Sequence, residues 1–301
     1  MLSSNVPSEN AKWEIKEVPT PQPSANQVLI KIHASGISYT DVHITKGGLG
    51  VTAGEIVALG ESVTTRKVGD RVGIPWLQST CGRCEWCQRG KLFFCPNQVA
   101  TGINIPGSHA EYMVAFADAT QLLPDGLSYD QAAPIFCAGY TVYSGLRFAH
   151  PKPHERIAVV GIGALGHLGI QYSKATGFET NAVTHSKDKE ELAYKLGADV
   201  VVSDGDILQK ECGTDVILAK SSSYKATADS IKGLRPDGRI ILMGVSMTEP
   251  LSNISRNLVQ TWSHHWFKVM TEIFALEEIS SAYDKVANGN VRFKAVIHPS
   301  N

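Results

Sequence analysis

Four of the six cysteines in the 301-residue chain fall within fifteen positions, as Cys81, Cys84, Cys87 and Cys95. The spacing is C-x2-C-x2-C-x7-C. Thiolates crowded into one loop repel and oxidise unless a cation holds them or they pair as disulfides. Tetrahedral Zn²⁺ takes four sulfur ligands from short turns of this kind, and a closed four-cysteine shell leaves no position for a substrate. An iron–sulfur cluster also uses four thiolates, but a run this tight fits one mononuclear ion better. Two disulfides would suit a secreted chain. The opening stretch, Met1 to Asn10, lacks the charged and apolar regions of a signal peptide. The stretch 81–95 is therefore read as a structural zinc lobe.

Length and charge narrow the rest. A chain of 301 residues, 43% of them hydrophobic, has material for two cores. The formal net charge is −1, so no basic field draws nucleic acid or an anionic membrane. No apolar run approaches the length that spans a bilayer. The expected compartment is the cytosol.

The first third reads as β-rich. Gln27 to His33 alternates like a strand with one buried face, after turn signals at Pro21 and Pro23. Gly54 to Gly60, Gly69 to Ile74 and His109 to Ala115 are further short strands. Pro124 to Ser128 is a turn leading to a helix capped by Ser128 or Asp130. From there apolar strands alternate with helical stretches, which predicts a parallel sheet wound with crossover helices.

That second region opens with Arg156-Ile-Ala-Val-Val-Gly161-Ile-Gly163-Ala-Leu-Gly166. An apolar strand runs straight into G-x-G-x-x-G and then a helical pattern. Gly161 allows the tight turn, Gly163 lets a pyrophosphate approach the backbone, and Gly166 lets helix and strand pack closely. The helix N-terminus then offers unpaired N–H groups to the phosphates. In this strand–turn–helix setting the motif predicts dinucleotide binding. Later strands at Thr180–Thr184, Asp199–Ser203, Asp215–Ala219 and Arg239–Gly244 fit the same sheet.

The end of the second strand bears on the cofactor. An NAD site places an acid there to accept from the ribose 2′-hydroxyl. Here the position is Thr184, followed by His185, Ser186, Lys187, Asp188 and Lys189. With no carboxylate at the strand end, and with Ser186, Lys187 and Lys189 nearby, NADP(H) is favoured over NAD(H). The alternative is a solvated lysine pair opening a helix.

These stretches resemble the zinc-containing medium-chain alcohol dehydrogenases, in their NADP-preferring bacterial and fungal branch. The likeness runs over nearly the whole chain. Its most specific parts are Gly69-Asp70-Arg71-Val72-Gly73, the four-cysteine lobe, Ala133 to Gly139, and the Val160-Gly161-Ile162-Gly163 turn. The resemblance implies an α/β protein with a barrel-like, GroES-like catalytic domain over 1–127 and 271–301. A doubly wound Rossmann domain then covers 128–270, with the active site in the cleft between. It also implies a second, catalytic zinc that binds the alcohol oxygen while hydride passes to nicotinamide. Thr40 matches the hydroxyl that relays the substrate proton, and His43 the imidazole at the relay's outer end. Asp41 matches a carboxylate behind the metal ligands, and Thr141 a residue packed against the nicotinamide.

The chain departs from the family where the chemistry should sit. The first catalytic ligand is a cysteine in Gly-x-Cys-x-Thr-Asp, and this chain has Gly36-Ile-Ser38-Tyr39-Thr40-Asp41. A serine hydroxyl is a poor Zn²⁺ ligand because it barely ionises near neutrality. The family's Gly-His-Glu, with the second ligand, has no counterpart, because Lys46 to Glu55 passes directly between its flanks. Only Cys137 matches a ligand position, and one thiolate does not hold zinc tightly. A buried structural cysteine is the better reading of Cys137. Tyr39, His43 or Glu55 would become ligands only if the shortened loop folds unlike the family.

A second departure follows Pro250. The family's sixth Rossmann strand, often its dimer edge, is replaced by Asn257 to Phe267, which would leave Arg239 to Gly244 as an open edge. A homo-oligomer that uses the family's edge would lose that contact. His264 and His265, as adjacent neighbours, do not face one ion easily and read as filler. Three functional readings remain from the sequence. The first is an NADP(H)-dependent alcohol dehydrogenase or aldehyde reductase acting on a small molecule with a degraded catalytic zinc site. The second is a zinc-independent reductase of the same superfamily, and the third a non-catalytic nucleotide-binding remnant.

Overall fold

The computed structural model describes residues 1–6, 12–38, 41, 51–211, 213–220, 224–243 and 269–299. The chain separates into two compact units, Met1–Cys137 with Lys268–Asn301, and Ala138–Phe267.

The first unit is built on sheets. β1 (Leu2–Asn5) and β2 (Glu14–Glu17) form an antiparallel pair. β3 (Gln27–Ile37) is the hub of the main sheet and pairs with β4 (Val51–Leu59). β5 (Arg71–Ile74) lies beside β4. β6 (Leu77–Ser79) and β7 (Val99–Ala100) bracket the cysteine lobe as a separate pair. β8 (Tyr112–Phe116) joins the first half of β3, and β9 (Gln121–Leu122) joins β5. The alternation read along 27–33 is the buried face of β3: Val28, Ile30 and Ile32 pack with Ile56, Val72, Ile74 and Met113. Each such side chain contributes roughly 1.5–3 kcal/mol by leaving water.

Ser128 caps the helix Tyr129–Pro134, its side chain accepting from the Gln131 amide at 3.3 Å. Residues 128–137, which the sequence groups with the nucleotide-binding region, pack within the first unit. Ala132, Ala133 and Phe136 share a cluster with Ala34, Ala53 and Val296. Gly73 makes room for this, since a Cβ there would sit 1.7 Å from the Phe136 ring. His33 stacks on Tyr129 at 4.4 Å, and the Arg71 guanidinium lies over the same ring at 4.7 Å. An apolar helix face states that it will be covered, but not which sheet covers it.

The second unit is a five-stranded parallel sheet. Its strands are β10 (Arg156–Val160), β11 (Glu179–Val183), β12 (Val200–Val202), β13 (Thr214–Ala219) and β14 (Leu234–Leu242). The order is β12-β11-β10-β13-β14, all parallel, as in doubly wound sheets. Strand cores such as Ile157, Val159, Ile217 and Leu218 are fully buried, as sheets covered on both faces require. Arg239 ties this unit together, donating to the Ala149 and His150 carbonyls and pairing in a fork with Glu155 at 3.0 and 2.6 Å. The replaced segment read at 257–267 lies outside the described residues.

The chain then returns to the first unit with β15 (Thr271–Ala275), the helix Ile279–Ala287 and β16 (Lys294–His298). β16 pairs with the second half of β3 and with β15, completing the sheet.

Candidate functional site

The cysteine lobe is assembled by tight local turns. Gly82 and Gly90 take left-handed backbone angles with φ of 68°, reversing the chain on either side of the short helix Glu85–Gln88. The four sulfurs of Cys81, Cys84, Cys87 and Cys95 all lie within 4.8 Å of one another. Cys84 and Cys87 are 3.5 Å apart, Cys95 and Cys81 3.6 Å, and Cys81 and Cys87 3.9 Å. A disulfide needs about 2.05 Å between sulfurs. Four Zn–S bonds of about 2.3 Å in a tetrahedron put the sulfurs about 3.8 Å apart, so the donor set fits zinc. The Cys81 amide also points at the Cys95 sulfur, at 3.4 Å.

Their acidities are split by the same crowding. The Arg83 and Cys84 amides bring the Cys81 thiol down to about 6. The Cys87 amide works to lower the Cys84 thiol, but burial and the neighbouring sulfurs outweigh it and push it up to about 11. Protons alone thus leave the cluster partly thiol, whereas a divalent cation would stabilise all four thiolates.

Only some of the positions expected at a catalytic zinc site fall among the described residues. Thr40, His43 and Tyr39 lie outside the described residues. Cys137 lies in the π-helical turn Ile135–Gly139, half-buried against the apolar cluster of Ala34, Ala53 and Phe136. Glu55 faces Lys31 and Arg71 across the sheet. Among the described residues, the cysteine lobe is the only group of three or more metal-ligating side chains. The described residues alone offer no donor set for a second zinc.

Asp41 has different company instead. Its Oδ1 lies 3.8 Å from His109 Nε2, and its Oδ2 accepts from the Ser38 amide at 2.5 Å. The other His109 nitrogen bonds the Ser35 hydroxyl at 2.8 Å, and Ser35 meets Ser108 at 3.1 Å. Trp13 closes this chain edge-on against His109. Lys294, only 5% exposed, adds a positive charge to the field at Asp41. The sequence places His109 in a strand and gives no sign of this network.

The dinucleotide motif forms the expected turn. Gly161 has φ of 88° and opens the loop after β10. Gly166 begins the helix Gly166–Ala175, and a Cβ on it would sit 1.9 Å from the Gly161 carbonyl oxygen. At Gly163 an added Cβ would meet nothing within 4 Å. Among the described residues no contact accounts for glycine there, and the space above it is open. Thr141 lies half-buried on the helix Tyr140–Phe148, whose Val142 packs towards Gly169 of the next helix.

β11 ends at Val183, and Thr184 follows with its amide bonded to the Val202 carbonyl. Its hydroxyl accepts from the Ser186 amide at 3.3 Å. Ser186 precedes the helix Lys187–Lys195 and donates its hydroxyl to Asp188. Lys189 is half-buried and Lys187 exposed. The first turn of this helix therefore sets a carboxylate against the serine that the sequence groups with the lysines.

The chain is similar to known proteins. Residues 24–125 match the alcohol dehydrogenase GroES-like domain family, and residues 164–274 the zinc-binding dehydrogenase family. An alcohol dehydrogenase of Geobacillus stearothermophilus is 35% identical over 321 residues, covering 94% of this chain and 95% of the relative. That span exceeds the 301 residues of this chain, so the relative carries residues with no counterpart here. An alcohol dehydrogenase of Rhizobium meliloti is 40% identical over 248 residues, covering 77% of this chain and 73% of the relative. In fold, the chain is similar to CAD from Helicobacter pylori complexed with NADP(H), with a TM-score of 0.84 at 21% identity, covering 99% of this chain and 97% of that one. No helix among the described residues is long and apolar enough to cross a membrane. Identity over nearly the full length, with the cysteine lobe and glycine turn in place, settles the kinship: the chain belongs to the zinc-binding alcohol dehydrogenase family of NAD(P)-dependent oxidoreductases.

Proposed function

We propose that this chain binds NADP(H) on its second unit and exchanges hydride with a small alcohol or aldehyde, holding one structural zinc in its first unit. The observation that carries this reading is the open space over Gly163, in a turn leading from a parallel strand into a helix. In this assignment Gly161, Gly163 and Gly166 cradle the pyrophosphate, and Thr141 lies against the nicotinamide. Thr184, Ser186 and Lys189 receive the adenosine ribose and its 2′-phosphate. Preference for NADP(H) rests on Thr184 standing where an acid would otherwise accept from the 2′-hydroxyl. The NADP(H) complex of the Helicobacter pylori protein supports it by analogy.

Cys81, Cys84, Cys87 and Cys95 hold the zinc, which fixes the loop between β6 and β7. No step is assigned to a catalytic zinc, since Cys137 stands without a partner set among the described residues. Thr40 and His43 are assigned the proton relay by resemblance. The isolation of Cys137 favours a second reading within the family, zinc-independent hydride transfer to an activated C=O or C=C.

Fluorescence titration with NADPH and NADH, followed by turnover of aldehydes with and without a chelator, separates these readings. Tighter binding of NADPH is expected, and equal affinities would overturn the preference. Turnover that survives chelation supports the zinc-independent route, and loss on chelation while the structural zinc stays bound restores the alcohol dehydrogenase mechanism. A chain that binds neither nucleotide is not an enzyme of this kind.

A further inference from the structure

We infer that Lys220 is a phosphate-neutralising residue of the nucleotide site, placed to meet the pyrophosphate that NADH and NADPH share. This rests on the reading of the Gly161–Gly166 turn as a dinucleotide cradle.

The argument begins with sheet order. In β12-β11-β10-β13-β14 the chain leaves β10 towards β11 on one side and later fills β13 on the other. The crevice at the carboxyl ends of β10 and β13 is therefore the switch point, where doubly wound sheets take their ligands. Val160 of β10 pairs with Ala219 of β13, so the next residues out are Gly161 and Lys220. The Lys220 amide donates to the Val160 carbonyl at 3.0 Å, which pins this lysine beside the first residue of the glycine turn.

The surroundings of its side chain point to an absent anion. Lys220 is half-buried. Burial pulls its ammonium below the ordinary lysine range. Among the described residues it has no carboxylate partner, in contrast to Lys174, Lys232 and Lys285 of the same chain. It also stands beside the turn that opens a ten-residue helix, whose positive N-terminal end disfavours a second positive charge. A phosphate between the two would relieve both costs. Ser186 and Lys189 follow a different strand, β11, so the two sets of groups have separable tasks.

The test compares Lys220→Met, Lys220→Gln and Lys220→Arg with Lys189→Met in fluorescence titrations of the full chain with NADH and NADPH. Circular dichroism confirms that each variant is folded, and Lys220→Gln serves should Lys220→Met not fold. Loss of one charge-assisted contact should weaken both nucleotides by the same factor, about tenfold or more. Lys220→Arg should retain most of the affinity. Lys189→Met should weaken NADPH alone. Wild-type affinity for both nucleotides in the Lys220 variants would overturn the inference, as would a loss confined to NADPH. If the wild-type chain binds neither nucleotide, the cradle itself is refuted and this inference falls with it.

Discussion

The carboxylate of Asp41 stands 3.8 Å from Nε2 of His109, and both side chains are sealed from solvent. A carboxylate expected behind a metal site lies here beside an imidazole, whose other nitrogen bonds a serine hydroxyl. Burial works to raise the Asp41 carboxyl, but the His109 ring and the Ser38 amide outweigh it and hold it below its ordinary value of 3.8. A lowered carboxyl stabilises the fold above its unfolded value, and that contribution is lost as pH falls through the folded value. The advantage of the wild type over Asp41→Asn should therefore be complete above about pH 5 and shrink below about pH 4. Asp41→Ala should cost about 3–5 kcal/mol in urea unfolding at neutral pH, because it strands the buried partner. A cost under about 1 kcal/mol would show that the pair is not coupled.

Elemental analysis of the folded chain should find about one zinc, matching the single donor cluster among the described residues. Cys84→Ser should remove it, because three thiolates and a hydroxyl no longer close the tetrahedron. Cys137→Ser should leave the metal content unchanged. Two zinc ions per chain, or a loss of metal in Cys137→Ser, would show that the half-buried thiol has ligand partners after all.

Asp188 sets a limit on the preference for NADP(H). Its carboxylate takes the Ser186 hydroxyl, so that hydroxyl is already committed as a donor. Asp188→Asn should release the hydroxyl and remove a repelling charge at a solvated site. Exposed charge pairs are worth about 0.2–1 kcal/mol, which corresponds to a gain in NADPH affinity of roughly 1.4- to 5-fold. NADH, with no 2′-phosphate, should gain little. Equal gains for both nucleotides would place the 2′-phosphate elsewhere.

The parts legible in the sequence were those written locally. Cys81 to Cys95 encode a metal shell in fifteen consecutive positions, and Gly161, Gly163 and Gly166 encode a turn in six. Asp41 and His109 meet only because the stretch before β8 folds against the end of β3, where His109 bonds Ser35, and no spacing in the chain announces that pairing. The same limit applies to Phe136. Its helical pattern marks it as buried, while the partner that makes it fit is Gly73 on β5. A lone lysine after a strand, such as Lys220, acquires meaning only from the register that sets it beside Gly161.

The two later glycines of the turn should fail in opposite ways when replaced. An alanine Cβ at Gly166 would sit 1.9 Å from the Gly161 carbonyl oxygen, a backbone atom that moves only if the turn deforms. Gly166→Ala should therefore lose about 1–3 kcal/mol of stability from overpacking. At Gly163 the same methyl group meets nothing within 4 Å, and no left-handed backbone angle requires glycine. Gly163→Ala should match the wild type in thermal unfolding and still lose nucleotide affinity, about tenfold or more, because the methyl group occupies the approach path of the pyrophosphate. Unfolding curves and fluorescence titrations on both variants decide the matter. If Gly163→Ala binds nucleotide as the wild type does, the open space above the turn is not the phosphate cradle. If it is instead the less stable variant, the glycine serves the fold and not the ligand.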